Sequence, residues 1–366
     1  MAKSTLVSVL HNFEFPMYCN VLEVSNDQET IIASGGYKPC IAAFDLIDHT
    51  PKFERNIDDE VIRISILGND WKKLALLHKA GKIEFHSQYG HHHTIELPNE
   101  CRDMKADLSR GEILTVGKRP SIYRFSTSAG KLLNPLPTTL TSIESISLSN
   151  IHSLYALTAE QGQCEFIDAR SGQSIKPFNL PTESATASAF SPDGIFLAVG
   201  TYEGTVSLFD LRSNTPLLVK DHNYDFPISK ISIQKTNVVS LDKKGLKVWD
   251  KFSSKTLATV EPDFTLADFT LSQGIVFLGG DSPTMKTFYV PALGPFPKWC
   301  SHLEGTTEEM AEAAKETYFD HYRFLTEDQI DQLNLKSEIG RSIKPHMHGY
   351  LVPIPLYETK VHPNPI

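Results

Sequence analysis

Short runs of alternating apolar and polar residues, separated by glycine, proline, aspartate and asparagine, recur along most of this chain. Each group of runs ends in an apolar stretch closed by a polar or aromatic stop, at Asp45, Ser87, Ser126, Asp168, Asp210, Asp250 and Tyr289. The steps between stops are 42, 39, 42, 42, 40 and 39 residues. Alternation with period two predicts strands, and a repeat of about 41 residues predicts blades of a WD40-type β-propeller. Unit five shows the pattern most plainly. Residues 186–190 alternate, Ser191-Pro192-Asp193-Gly194 turns, residues 195–200 form a buried strand, Glu203-Gly204 turns again, and residues 205–210 close the unit. Proline presets φ for such a turn and glycine accepts a positive φ. Unit six ends in a true Trp249-Asp250 pair, whereas the other units vary it and none opens with the usual Gly-His dipeptide. The expected fold is all-β: a seven-bladed propeller over residues 1–292.

A ring must close, since an open one leaves an unpaired edge strand. Thr5-Leu6-Val7-Ser8-Val9-Leu10 is the expected closing strand, completing the seventh blade. Deleting residues 1–11 is therefore expected to cost more stability than an ordinary terminal truncation. From Leu293 the pattern changes, so residues 293–366 form a C-terminal extension. A proline-rich linker runs to Cys300. A helix is expected from about Thr307 to Lys315, on the capping-box spacing of Thr306 and Glu309, and a second starts at Thr326 with Gln329 in the reciprocal position. The proline-rich end from Pro345 is expected to be extended. The extension either packs along the propeller or serves as a partner-binding arm.

Composition narrows the class. Hydrophobic residues make up 40% and charged residues 22% of 366, as in soluble globular proteins. No apolar run approaches the roughly 18 residues of a membrane span. Five well-separated cysteines, with no CxxC, read as buried thiols of a reducing compartment. The net charge of −9 is concentrated, because residues 304–331 carry nine acidic and two basic side chains. The window 102–131 is the opposite, with seven basic and three acidic residues. Lys105, Arg110, Lys118, Arg119, Arg124 and Lys131 are thus a candidate phosphate-contacting stripe for RNA; a solvated blade edge would read the same way.

Enzymatic chemistry finds little support. Gly111 to Arg119 resembles a phosphate loop, but with five residues between the glycines and Arg119 where Ser or Thr should bind metal. His91-His92-His93, expected in a loop, lacks a metal-ligand spacing, as does His346-Met347-His348. No catalytic motif, metal or cofactor is expected. Asp168-Ala169-Arg170 and Asp210-Leu211-Arg212 are Asp-x-Arg boxes of the kind found in propellers that act as substrate receptors of cullin-4 ubiquitin ligases. Asp168, Arg170, Asp210 and Arg212 are the adaptor-binding candidates of that alternative.

Several strings become specific together: Gly36-Tyr37-Lys38-Pro39, Ile83 to Gly90, Leu217 to His222, Val260-Glu261-Pro262, Leu293-Gly294-Pro295 with Pro297-Lys298-Trp299-Cys300-Ser301, Tyr322-Arg323-Phe324 and Met347-His348-Gly349-Tyr350. In order and spacing the chain resembles the nucleolar protein 10 family, also called essential nucleolar protein 2, over nearly its whole length. The resemblance implies a non-enzymatic scaffold of the nucleolus and nucleus. It implies a place in the small-subunit processome, with other assembly factors and the pre-rRNA and U3 ribonucleoprotein as partners. Trp299, Tyr322, Phe324, His348 and Tyr350 become candidate partner-binding residues. Family members also carry basic flanking segments, whereas no block of five Lys or Arg occurs here. Nucleolar residence is then expected to depend on a partner, or the chain to come from a lineage with a reduced processome.

Overall fold

The computed structural model describes residues 13–15, 17–180, 184–213, 215–300, 322–333, 335, 338, 342–346 and 349–361. Two compact units emerge, Met1–Trp299 and Cys300–Ile366.

The first unit is a seven-bladed propeller. Six blades are four-stranded antiparallel meanders, spanning residues 19–56, 61–96, 101–137, 143–179, 185–221 and 230–260. The seventh, Leu266–Ser272, Ile275–Gly280 and Lys286–Tyr289, shows three strands among the described residues. Inner strands are largely buried and outer ones half-wet, as in blade one, where Thr30–Gly35 is wholly buried and Pro51–Asn56 mostly exposed. Turn chemistry follows the sequence expectation: Gly194 takes φ +69° and Gly204 φ +85°.

The core lies between blades rather than within them. Six apolar clusters each draw on two consecutive blades, such as Val21, Ile32 and Ile41 of blade one with Ile64 and Leu74 of blade two. Flat, twisted sheets bury their faces only against one another, so each blade needs both neighbours. Buried aspartates on the inner strands add directional bonds across these junctions. Asp103 of blade three accepts from Arg63 Nε of blade two at 3.0 Å and from the Ile146 backbone N–H of blade four at 3.0 Å.

The junction between blades seven and one closes the ring. Asp268 accepts from the Leu22 N–H at 3.0 Å and pairs with Lys230 of blade six at 2.8 Å. Residues 13–15 run beside blade seven: Phe15 N–H donates to Pro283 O at 2.7 Å and Met285 N–H to Phe13 O at 3.0 Å. Phe13 also stacks on Phe44 of blade one, at 4.6 Å between ring centroids. The expected closing strand, residues 5–10, lies outside the described residues, as does the helix expected at 307–315.

Two sequence expectations are corrected here. His91, His92 and His93 are not in a loop: they belong to Gly90–Glu96, the outer strand of blade two, with His93 opposite Phe85 and His91 opposite His86. The C-terminal end is not merely extended. Tyr322–Thr326, Gly349–Pro353 and Lys344–His346 form a three-stranded sheet in that order, with helices Glu327–Gln332 and Ile354–Val361. Its prolines misled the sequence reading because they sit where no N–H is needed. Pro345 is on an edge strand and Pro355 in the first turn of a helix. Leu325, Ile330, Leu335, Ile343 and Val352 form the core of this small unit.

Candidate interaction surfaces

Antiparallel strands place the first and third hairpin turns of every blade at one end, here the near face. The second turns and the connections between blades lie at the far face. This rule disperses the six basic candidates. Arg110, in the first turn of blade three, and Lys131, opposite Ser126 beside its third turn, lie at the near face. Lys118 and Arg119 occupy its second turn, at the far face. Lys105 and Arg124 are mid-strand, both in register with Leu114.

Half of the six are engaged within the ring. The Arg110 guanidinium donates to the Ala169 carbonyl of blade four, Lys118 pairs with Glu100, and Arg124 lies 3.7 Å from Glu112. The side chains of Lys105, Arg119 and Lys131 make no ion pair among the described residues, and all three are exposed. Blade three therefore offers scattered cations rather than one continuous stripe.

The two Asp-x-Arg boxes do come together. Asp168 Oδ1 accepts from the Arg170 N–H at 3.0 Å, and Asp210 Oδ1 from the Arg212 N–H at 2.9 Å. The Arg170 backbone N–H, with the guanidinium and Ser171, holds the Asp168 carboxyl below the usual carboxylate range. Each aspartate thus shapes its own turn, and both arginines extend outward. The turns line one near-face cleft of about 530 Å³ between blades four and five, shared with His152, Ile175 and Asp193. Asp193 is itself paired with Lys251 at 3.0 Å.

Trp299 is half-buried in the first unit, where it faces Phe277 of blade seven at 6.5 Å and His49 of blade one at 5.9 Å. Phe296 of the same string stacks on Tyr289 at 3.7 Å. In the second unit Phe324 is 47% exposed and lines a cleft of about 260 Å³ with Gln329, Gln332 and Leu333. Arg323 sits over the Tyr357 ring at 4.4 Å, Tyr322 pairs opposite Pro353, and Tyr350 packs on the core. His348 lies outside the described residues.

Residues 2–314 match the family model described as "Nucleolar protein 10-like, N-terminal domain", and residues 318–362 match "Nucleolar protein 10-like, second domain". The chain belongs to the nucleolar protein 10 family. It is 35% identical to Nucleolar protein 10 of Rattus norvegicus, over 98% of this chain and 55% of that protein. It is 31% identical to the Ribosome biogenesis protein enp2 homolog of Schizosaccharomyces pombe, over 98% of this chain and 61% of that protein. The same identity links it to Ribosome biogenesis protein ENP2 of Saccharomyces cerevisiae, over 96% of this chain and 52% of that one. The chain spans about half the length of the curated relatives it matches.

Of the strings that mark this family, Leu217 to His222 conceals a network that the sequence reading missed. His222 Nδ1 bonds Asp242 Oδ2 at 2.8 Å, its Nε2 bonds Ser240 Oγ at 2.6 Å, and Trp249 Nε1–H donates to the same hydroxyl at 3.2 Å. All four side chains are fully buried. The residues are those of a hydrolase triad, but here they fasten blade six and present nothing to solvent. His222 fills the place of the missing Gly-His histidine; Asp221 before it hid the signal. No cluster of three metal-ligating side chains occurs among the described residues. The five cysteines are free and buried, and burial pushes the Cys101 and Cys300 thiols up to about 11.

Proposed function

We propose that the chain is a non-catalytic scaffold of ribosome biogenesis, a nucleolar component of the small-subunit processome that supports pre-rRNA processing and 40S maturation. One observation carries this reading: the two family models match in succession across nearly the whole chain. The relatives' names, Nucleolar protein 10 and Ribosome biogenesis protein ENP2, supply the place and the process. The fold is consistent with a scaffold, because the hydrolase-like constellation of His222, Asp242 and Ser240 is sealed from solvent. Partners in this reading are other assembly factors and the pre-rRNA and U3 particle, with Lys105, Arg119 and Lys131 as phosphate contacts.

The test is to tag the protein in its own cells, purify it at mild salt and sequence the accompanying RNA. U3 and unprocessed small-subunit precursor are expected; recovery of neither overturns the assignment. The shared cleft of the two Asp-x-Arg boxes favours a second reading, a cullin-4 substrate receptor. Replacing Arg170 and Arg212 by alanine abolishes binding to the ligase adaptor in that reading, and leaves pre-ribosome association unchanged in the first.

A further inference from the structure

On the far face, residues 222–229 connect blade five to blade six and are laced to the second turn of blade five, Tyr202 to Gly204. The His222 N–H donates to Gly204 O at 3.1 Å and the Ile228 N–H to Thr201 O at 3.2 Å. A Cβ on Gly204 would come within 2.9 Å of Phe226 O, so the two segments touch. Asn223 and Asp225 take φ of +57° and +54°, a region that asparagine and aspartate tolerate better than most side chains. Two aromatic rings are left in water at this place: Tyr202 is 64% exposed and Phe226 41%.

The same connection shows what such rings attract here. Tyr224, between the two left-handed residues, carries the ammonium groups of Lys244 and Lys247 at 4.5 and 4.4 Å from its ring centroid. Its hydroxyl donates to the Glu261 carboxylate. The negative face of an aromatic ring draws a cation in this way. Tyr202 and Phe226 have no cation over them among the described residues, and neither segment contains a lysine or arginine. What flanks them is negative. Glu203 and Asp225 are both exposed, and neither carboxylate makes an ion pair or hydrogen bond among the described residues.

Two open ring faces beside two unpaired carboxylates select a guest by charge and shape. A nucleic-acid backbone is repelled by the carboxylates, and an apolar segment gains nothing from them. An ammonium group meets the charge without matching the flat rings. A guanidinium does both, since it stacks on aromatic faces and bonds a carboxylate through its fork of N–H donors. We propose that Tyr202, Glu203, Asp225 and Phe226 receive an arginine side chain from a basic segment of a partner protein.

The inference does not depend on the ribosomal reading. It is tested by fluorescence anisotropy on the purified full-length chain at low salt. The probe is a labelled peptide of Gly-Gly-Arg repeats, compared with matched Gly-Gly-Lys and Gly-Gly-citrulline peptides. Three variants are set against wild type: Tyr202→Ala/Phe226→Ala, Glu203→Gln/Asp225→Asn, and Asp27→Asn/Glu29→Gln, which removes the same charge from the near face of blade one. All these positions are exposed, asparagine keeps the left-handed backbone at 225, and circular dichroism checks that each variant is folded. Wild type binds the arginine peptide about fivefold or more tighter than the lysine peptide, and the citrulline peptide more weakly still. Each far-face variant weakens arginine binding roughly tenfold, and the ring variant also erases the preference for arginine over lysine. The near-face variant changes binding by about twofold or less. The proposal is overturned if the arginine peptide does not bind, if it binds no better than the lysine peptide, or if the far-face variants behave like wild type. It is overturned too if the near-face variant loses as much as they do, which would mark a general charge effect. Loss of a dimer of the chain, or of single-stranded oligouridine binding, in place of peptide binding in the ring variant overturns it as well.

Discussion

Blades six and two both bury histidines, and they treat them in opposite ways. In blade six both His222 nitrogens are bonded, to Asp242 and Ser240, and Asp242 also takes the N–H groups of Lys244 and Gly245. In blade two, His78 and His86 both turn Nε2 toward Glu84 Oε2 at 3.3 Å, while His78 Nε2 and His86 Nδ1 lack a hydrogen-bond partner among the described residues. A fully satisfied buried network fixes a structure, whereas buried polar atoms left unmet cost free energy unless something else meets them. Blade six thus spends its polar residues on the ring, and blade two leaves part of its own unmet.

The same substitution in both blades separates these roles. His222→Phe strands the buried Asp242 carboxylate and Ser240, and is expected to cost about 3–5 kcal/mol. His86→Phe removes one long contact and an unmet acceptor, and is expected to cost about 1 kcal/mol or less. Urea equilibrium unfolding of the two variants measures the difference; equal losses would erase the distinction. Asp268→Ala falls between them. It frees the Leu22 N–H and leaves Lys230 without its closest partner at the ring closure, an expected loss of about 2–3 kcal/mol in the same experiment.

What the sequence made legible follows the range of the interactions. Propeller, blade number and strand positions were readable because alternation and turn residues act over a few positions, as at Ser191 to Gly194. The Thr326 cap was local too, and Gln329 Oε1 accepts from the Thr326 N–H at 3.1 Å. The blade-six network was not readable, since it joins residues 18 and 20 positions apart and Asp221 stands where a glycine would have marked His222. Neither was the meeting of Tyr202 with Phe226, which stand on separate far-face segments. The basic candidates were grouped by nearness in sequence, but hairpin turns alternate between faces and send Lys118 and Arg119 away from Arg110 and Lys131. The two Asp-x-Arg boxes recur at equivalent turns of adjacent blades, so they share a face and a cleft.

The smallest expected effect uses pH to tell the two blades apart. Burial pushes the Asp242 carboxyl up, but hydrogen bonds from His222, Gly245 and Lys244 outweigh it and hold it below its ordinary value. A lowered carboxyl contributes stability that is complete above the unfolded pKa of about 4 and is lost as pH falls through the folded value. Burial lowers the His86 imidazole, against the opposing pull of Glu84. Below the unfolded histidine pKa of about 6.5 the unfolded chain therefore binds the proton more readily, so stability falls as pH drops from neutrality. Urea midpoints measured from pH 7.5 down to 3.5 should show His86→Phe flattening the limb below about 6.5, and Asp242→Asn flattening only the limb below about 4. A His86→Phe profile parallel to wild type near pH 6 would mean that blade two tolerates the charged ring.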